Sequence, residues 1–177
     1  MAQSTIRYVE MSESIYTTIS KRIHESYPSS CICWIEEITN GNLQDAFIKR
    51  KSEIIKHRPI NEIQLFHGTS EDAINSISSG GFDPTYNKTS AYGLGTYFAK
   101  NASYSFSYMK PNKAGISFMF YCDVLLGTSC CGSAGLAINT EKYDSAVDTL
   151  VSPTIVVTPY PDGALPRYII AFHKTAK

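Results

Sequence analysis

The sequence predicts an α+β fold whose sheet is mostly antiparallel, and three observations carry that expectation. Two stretches with helical periodicity fill the first third of the chain, and a strand-and-turn texture takes over beyond Pro59. The run Gly115 to Leu126 is apolar on both parities, as a central strand covered on both faces requires. The 177 residues, 43% hydrophobic and 12% aromatic, suffice for one core of ordinary domain size and are too apolar for a disordered chain, so residues 1–177 read as one domain.

Ile15, Ile19 and Ile23 recur at helical spacing behind Ser12, the expected N-cap, and predict a helix that ends before Tyr27 and Pro28. Cys31 to Ile38 reads as a strand. From Asn42 to Ile55, residues Leu43, Phe47, Ile54 and Ile55 fall near one helical stripe, with Lys49, Arg50 and Lys51 as a mainly solvated run. A strand at Ile63 to Phe66 leads directly into His67-Gly68-Thr69. A short helix should follow, with Ser70 as N-cap, Glu71 and Asp72 at its positive end and Gly80-Gly81 as its stop. Phe82 to Tyr92 holds Asp83-Pro84 and Asn87 with few apolar residues, which predicts an exposed loop. Gly95 to Ala99 predicts a short buried strand, and Asn101 to Met109 a helix begun by an Asn cap. After the central strand, Cys130 and Cys131 are expected at a turn beside Gly132. Two further strands are read at Thr154 to Thr158 and Arg167 to His173.

Composition excludes several function classes. Sixteen basic residues balance sixteen acidic ones, which removes the electrostatic footprint of a general nucleic-acid binder. The five cysteines, Cys31, Cys33, Cys122, Cys130 and Cys131, lack paired C-x-x-C spacing, and the four histidines do not cluster with them. Neither a zinc site nor a disulfide framework is predicted. Met1 to Glu10 has no signal-peptide core, and no stretch reaches the roughly 20 apolar residues that span a bilayer. The default expectation is a soluble protein of a reducing intracellular compartment, cytoplasm or nucleus, with no membrane partner.

Order and spacing say more than any single polar residue. His67-Gly68-Thr69 closes a strand, Gly93-x-Gly95-Thr96-Tyr97-Phe98-Ala99 follows with Tyr97 thirty positions after His67, and Ser105-x-x-Tyr108 lies 8 and 11 positions beyond Tyr97. This order resembles the catalytic domain of the poly(ADP-ribose) polymerase superfamily, the diphtheria-toxin-like ADP-ribosyltransferases. The resemblance covers nearly all of the chain. Ile35 to Phe47 is similar to the segment before the signature in the smaller members, Val124-Leu-Leu-Gly127 to the strand after the nicotinamide site, and Tyr143-Asp-Ser145 to a later loop. Thr154 to Thr158 is similar to the strand carrying the third catalytic position, and Pro166 to Phe172 to the last strand.

The resemblance implies a split, mostly antiparallel sheet with flanking short helices, NAD+ as co-substrate and no metal. It puts His67, Tyr97 and Ile155 at the catalytic positions. His67, Gly68, Thr69, Tyr97, Ser105 and Tyr108 are expected to hold NAD, with Asp83 and Asn87 as polar contacts from the loop that covers it. The residue types suit these roles. Gly68 lacks a Cβ, so a ligand can approach its backbone, whose N–H and C=O match the two ends of a carboxamide. Ser105 can add a hydrogen bond, while Tyr97 and Tyr108 offer flat faces to sandwich the nicotinamide ring. His67 is expected to bond a hydroxyl of the adenosine ribose. Tyr104 is read as packing, because adjacent helical positions point about 100° apart and Ser105 takes the inward direction.

The chain departs from the polymerising pattern at one position. Polymerising members carry a glutamate on the strand before the last, and counting back from Pro166 without a gap puts Ile155 there. Ile155 shares a strand face with Val157, and Thr154, Val156 and Thr158 share the other. The nearest acids, Asp148 and Asp162, belong to flanking loops. An aliphatic side chain cannot act as a base, so transfer of a single ADP-ribose to a protein acceptor, the chain itself included, is expected. Three alternatives stand beside it: a catalytically weak or inactive NAD-binding or interaction module, a transferase acting on nucleic-acid phosphate ends through Lys49 to Lys51, Lys56 and Arg58, and a redox or acceptor site at Cys130 and Cys131. The 66 residues before His67 leave no room for the family's autoinhibitory helical domain, so unobstructed access of NAD is expected.

Overall fold

The computed structural model describes residues 4–87 and 90–173. The chain enters through an edge strand, β1 (Thr5–Tyr8), and helix α1 (Ser14–Ser26) buries Ile19 and Ile23. Its N-cap is Glu13 and not Ser12; the Glu13 carboxylate makes no capping bond to the helix and instead accepts from Arg7 at 2.9 Å and from the Glu10 N–H at 2.8 Å, which shapes the turn before it. β2 (Cys31–Thr39) leads to α2 (Gly41–Ile55). Here the cap is Asn40, whose side chain accepts from the Leu43 N–H at 3.2 Å. The same amide donates to the carbonyls of Ser78 and Ser79 at 3.0 and 3.1 Å. Phe47 and Ile54 of α2 face inward, whereas Ile55 is 54% exposed, since two consecutive helical residues cannot both occupy a narrow stripe.

Seven more strands follow: β3 (Glu62–Thr69), β4 (Thr96–Ala99), β5 (Ile116–Leu125), β6 (Ser129–Cys131), β7 (Ser145–Val147), β8 (Ile155–Thr158) and β9 (Ala164–His173). Two short helices, α3 (Ile74–Gly80) and α4 (Ala102–Ser105), flank them. Among the described residues the strands make one sheet in the order β1-β2-β9-β5-β3-β4-β8-β7-β6, antiparallel throughout except where β6 runs parallel to β7. Cys130 and Cys131 therefore lie in an edge strand rather than a turn. That ladder is pinned by the Ser129 and Ser145 hydroxyls, 2.8 Å apart, and the turn texture of Gly132 begins one residue later.

The core has two layers divided by the sheet. On one face Met119 and Tyr121 of β5 pack with Ile19 and Ile23 of α1, Phe66, Ile170 and Phe172. On the other, Phe118 and Phe120 pack with Phe82, Phe98, Val156 and Ile169. β5 is thus covered on both sides, as its double parity predicts. The basic run is not simply solvated. Arg50 binds Asp162 at 2.8 Å and lies 4.2 Å above the Tyr160 ring, Lys51 binds Glu62 at 2.6 Å, and Arg58 reaches the buried Asp144 at 2.9 Å.

One irregularity of the sheet makes room for a cavity. β3 pairs with β5 along its full length, from Glu62↔Leu125 to Thr69↔Phe118, and β4 pairs with β8 through all four of its residues. Between β3 and β4, however, the described residues share a single ladder pair, Phe66↔Ala99. Beyond it the two strands part, and the sheet is split there.

Candidate active site

A cavity of about 680 Å³ opens in that split, walled by β3 and β4, by α3 and the segment after it, and by α4 with the turn that follows. Because the strands diverge, consecutive residues of each, His67 to Thr69 and Thr96 to Ala99, all border the cavity. It brings together His67, Gly68, Thr69, Asp83, Asn87, Tyr97, Ser105 and Tyr108.

The His67 imidazole bridges the split, with Nδ1 2.8 Å from the Tyr97 carbonyl oxygen. A carbonyl only accepts, so Nδ1 carries the proton and Nε2 of the neutral ring is an acceptor. Phe82 and Phe98 flank the ring at centroid distances of 5.0 and 5.5 Å. This desolvation pushes the His67 pKa below its ordinary 6.5 and keeps the ring neutral. Phe82 is consequently 3% exposed, although its segment reads as surface loop: its ring fills the space under the histidine.

Tyr97 is held by its hydroxyl, which donates to the Gly93 carbonyl at 2.8 Å and accepts from the Tyr92 N–H at 2.9 Å. That turn needs its glycines. Gly93 and Gly95 have φ of 125° and 154°, and a Cβ on Gly95 would strike the Thr158 carbonyl. Gly68 is required by packing as much as by any ligand, because a Cβ there would collide with the Ser105 carbonyl of α4. The close approach seats Ser105, 3% exposed, beside Gly68.

Asp83 and Asn87 border the cavity and also build their own segment. The Asp83 carboxylate accepts from the N–H and hydroxyl of Thr85 at 2.9 and 2.6 Å, capping the turn Pro84–Tyr86, and these bonds hold it below the usual carboxylate range. Asn87 donates to the Gly95 carbonyl at 2.9 Å. Thr96, which the sequence reading passed over, also lines the cavity; its hydroxyl is buried and has no hydrogen-bond partner among the described residues.

Two residues stand apart from that set. Tyr104 is not mere packing: it lines the cavity together with Ser105. The helix is four residues long and tightens at once into the turn Phe106–Tyr108, so the spacing rule of a long helix does not govern its inward face. Ile155 is not a wall of the main cavity. It lies on β8 opposite Ala99, on the face it shares with Val157 opposite Tyr97, and is 3% exposed. It borders a second cavity of about 370 Å³ with Asn101, Ser103, Tyr104, Ser107 and Thr154. Tyr104 borders both cavities. Asp148, the nearest acid, is fully engaged: its carboxylate accepts from the Thr154 N–H and hydroxyl at 2.9 and 2.6 Å and from the Ile155 N–H at 3.1 Å. Burial opposes its ionisation, but these bonds outweigh it and keep the carboxyl below the ordinary value.

The model of the poly(ADP-ribose) polymerase catalytic domain matches residues 10–148. The chain is 32% identical over 190 residues to the protein mono-ADP-ribosyltransferase PARP14 of Homo sapiens, an alignment that takes in 98% of this chain and 10% of that protein. It is 34% identical over 150 residues to PARP10 of Mus musculus, with 77% and 16% covered, and 30% identical over 189 residues to PARP11 of Mus musculus, with 89% and 57% covered. Both of these are also named protein mono-ADP-ribosyltransferases. The chain spans only a small part of the first two relatives and little more than half of the third.

Proposed function

Because the chain belongs to the poly(ADP-ribose) polymerase catalytic-domain family, we propose that it transfers one ADP-ribose from NAD+ to a protein acceptor. The observation that carries this reading is the gathering of His67, Gly68, Tyr97, Ser105 and Tyr108 along one cavity in the sheet split. The cavity fits the co-substrate. Its volume lies within the range of about 300–1,000 Å³ common for small-molecule sites, Tyr97 and Tyr108 stand at its walls, and His67 Nε2 has an acceptor position to offer.

On this reading the Gly68 backbone and the Ser105 hydroxyl hold the carboxamide, Tyr97 and Tyr108 sandwich the ring, and His67 Nε2 accepts from a ribose hydroxyl at the other end of NAD. NAD supplies a glycosidic bond whose cleavage exposes an electrophilic ribose carbon. Nicotinamide leaves neutral, so these residues need no strong general acid and contribute orientation, exclusion of water and electrostatic fit. Ile155 offers no base, and Asp148 spends its carboxylate on Thr154 and Ile155. Neither group supports activation of a ribose hydroxyl for chain growth. A protein carboxylate, in a partner or in the chain itself, brings its own negative charge to the cation and can attack it. Nucleic-acid ends are less well supported, because Arg50, Lys51 and Arg58 are each paired with an acid.

Incubation with labelled NAD+ tests the reading. The expected product is a discrete label of one ADP-ribose per site, released by hydroxylamine and absent in His67→Ala. A ladder of products overturns the assignment at Ile155, and a label that resists hydroxylamine overturns the carboxylate acceptor. No label, with no NAD-induced rise in melting temperature, leaves a domain that keeps the signature without the chemistry.

A further inference from the structure

Tyr97 and Tyr108, two of the aromatic residues that line the cavity, are secured differently. The Tyr97 ring is fixed through its hydroxyl by two backbone groups, the Gly93 carbonyl and the Tyr92 N–H. Tyr108 ends a short turn, is 48% exposed, and has its hydroxyl 3.1 Å from that of Tyr104. The two rings, four residues apart along the chain, sit 5.6 Å apart with a 44° tilt, within the range of favourable aromatic pairs. Tyr104 is the better seated of the two, and burial pushes its phenol well above the ordinary value, with the Tyr108 hydroxyl adding to the effect.

We propose that Tyr104 is a positioning residue that holds the Tyr108 ring, through the hydroxyl pair, in the orientation that closes the nicotinamide side of the cavity. The inference rests on the NAD reading above. A half-exposed aromatic ring on a short turn has rotamer freedom to lose when a ligand stacks on it, and fixing it beforehand removes that cost from binding. The hydroxyl of Tyr104 is placed for this purpose and not for the core. None of the buried apolar clusters among the described residues includes Tyr104 or Tyr108. Tyr104 also separates two spaces, since it borders both the main cavity and the one at Ile155. Loss of its hydroxyl therefore loosens one wall without opening the fold.

The test uses Tyr104→Phe, Tyr108→Phe and the double variant, with NAD and benzamide as ligands. Each single change is expected to weaken benzamide binding by about three- to tenfold, the size of one lost hydrogen bond. The double variant should be no weaker than either single one, because the two hydroxyls act as a unit. Melting temperatures should not move. In ligand-free protein labelled with 3-fluorotyrosine, the Tyr108 fluorine line, assigned by its absence in Tyr108→Phe, should shift or broaden in Tyr104→Phe. An unmoved line, losses that multiply in the double variant, or a lowered melting temperature in Tyr104→Phe each overturn the proposal. A wild-type protein that binds neither NAD nor benzamide overturns the NAD reading instead, and the fluorine line then decides the hydroxyl contact by itself.

Discussion

The surroundings of His67 demand a neutral imidazole: Nδ1–H is committed to the Tyr97 carbonyl, and the phenylalanines around the ring exclude water. Its folded-state pKa lies below the ordinary 6.5, so at lower pH the unfolded chain binds the extra proton more readily. The stability contributed by His67 is accordingly full above that value and is lost as pH falls through it toward the folded-state pKa. Thermal melts between about pH 5 and 8 should show this acid-side decline, and His67→Ala should flatten it. NAD affinity should hold to lower pH than this decline begins and should fall only where the folded-state ring itself takes up a proton, below 6.5. On β8, Ile155→Glu places a carboxyl where 97% of the residue is covered. Burial should raise the new group's pKa and lower stability by about 1–3 kcal/mol, measurable by denaturant titration. If geometry alone limits chain growth, the same variant should produce a product ladder.

Element contacts set the next level, and the close approach of α4 to β3 at Gly68 shapes the site. Gly68→Ala pushes a methyl group into the Ser105 carbonyl, so α4 must retreat from β3. The expected cost is about 1–3 kcal/mol of stability, with NAD binding reduced by more than stability alone accounts for, since Ser105 and both tyrosines of α4 and its following turn move together. A calorimetric titration beside a melt separates the two effects. Asn40→Ala should cost about 0.5–2 kcal/mol as a lost helix cap and also release the carbonyls of Ser78 and Ser79, loosening α3 at the cavity wall. Much of this element scale was legible in the sequence. The periodicity of α1 and α2, the double parity of β5 and the order of the site blocks all appear at their predicted places. β1 was not legible because its alternation, Thr5-Ile6-Arg7-Tyr8, lasts only four residues, all of them exposed, and β6 and β7, three residues each, are too short to display a period. The order of the blocks and the family resemblance it carries named eight residues that border the main cavity, but neither showed that Ile155 lies outside it. Spacing gives the strand face, whereas the cavity that face meets depends on Tyr104, which borders both.

At the scale of the whole molecule, the β3–β4 seam divides a sheet whose five strands on one side and four on the other are otherwise well laddered. The chain crosses the seam repeatedly: β9, the last strand, lies between β2 and β5, while β8, just before it, pairs with β4 on the far side. The halves therefore cannot be separated by cutting the chain at one place, and unfolding should be a single cooperative transition. Local opening is a different matter. Amide exchange should be slowest in β5 and β9 and faster in β4, and saturating NAD should slow exchange in β4 and α4 while leaving β5 unchanged. A dinucleotide lying along the seam would take the place of the rungs that β3 and β4 do not form with each other. The protein would then be most rigid when loaded and would slacken as soon as nicotinamide departs, so that each turnover loosens the grip on its own product.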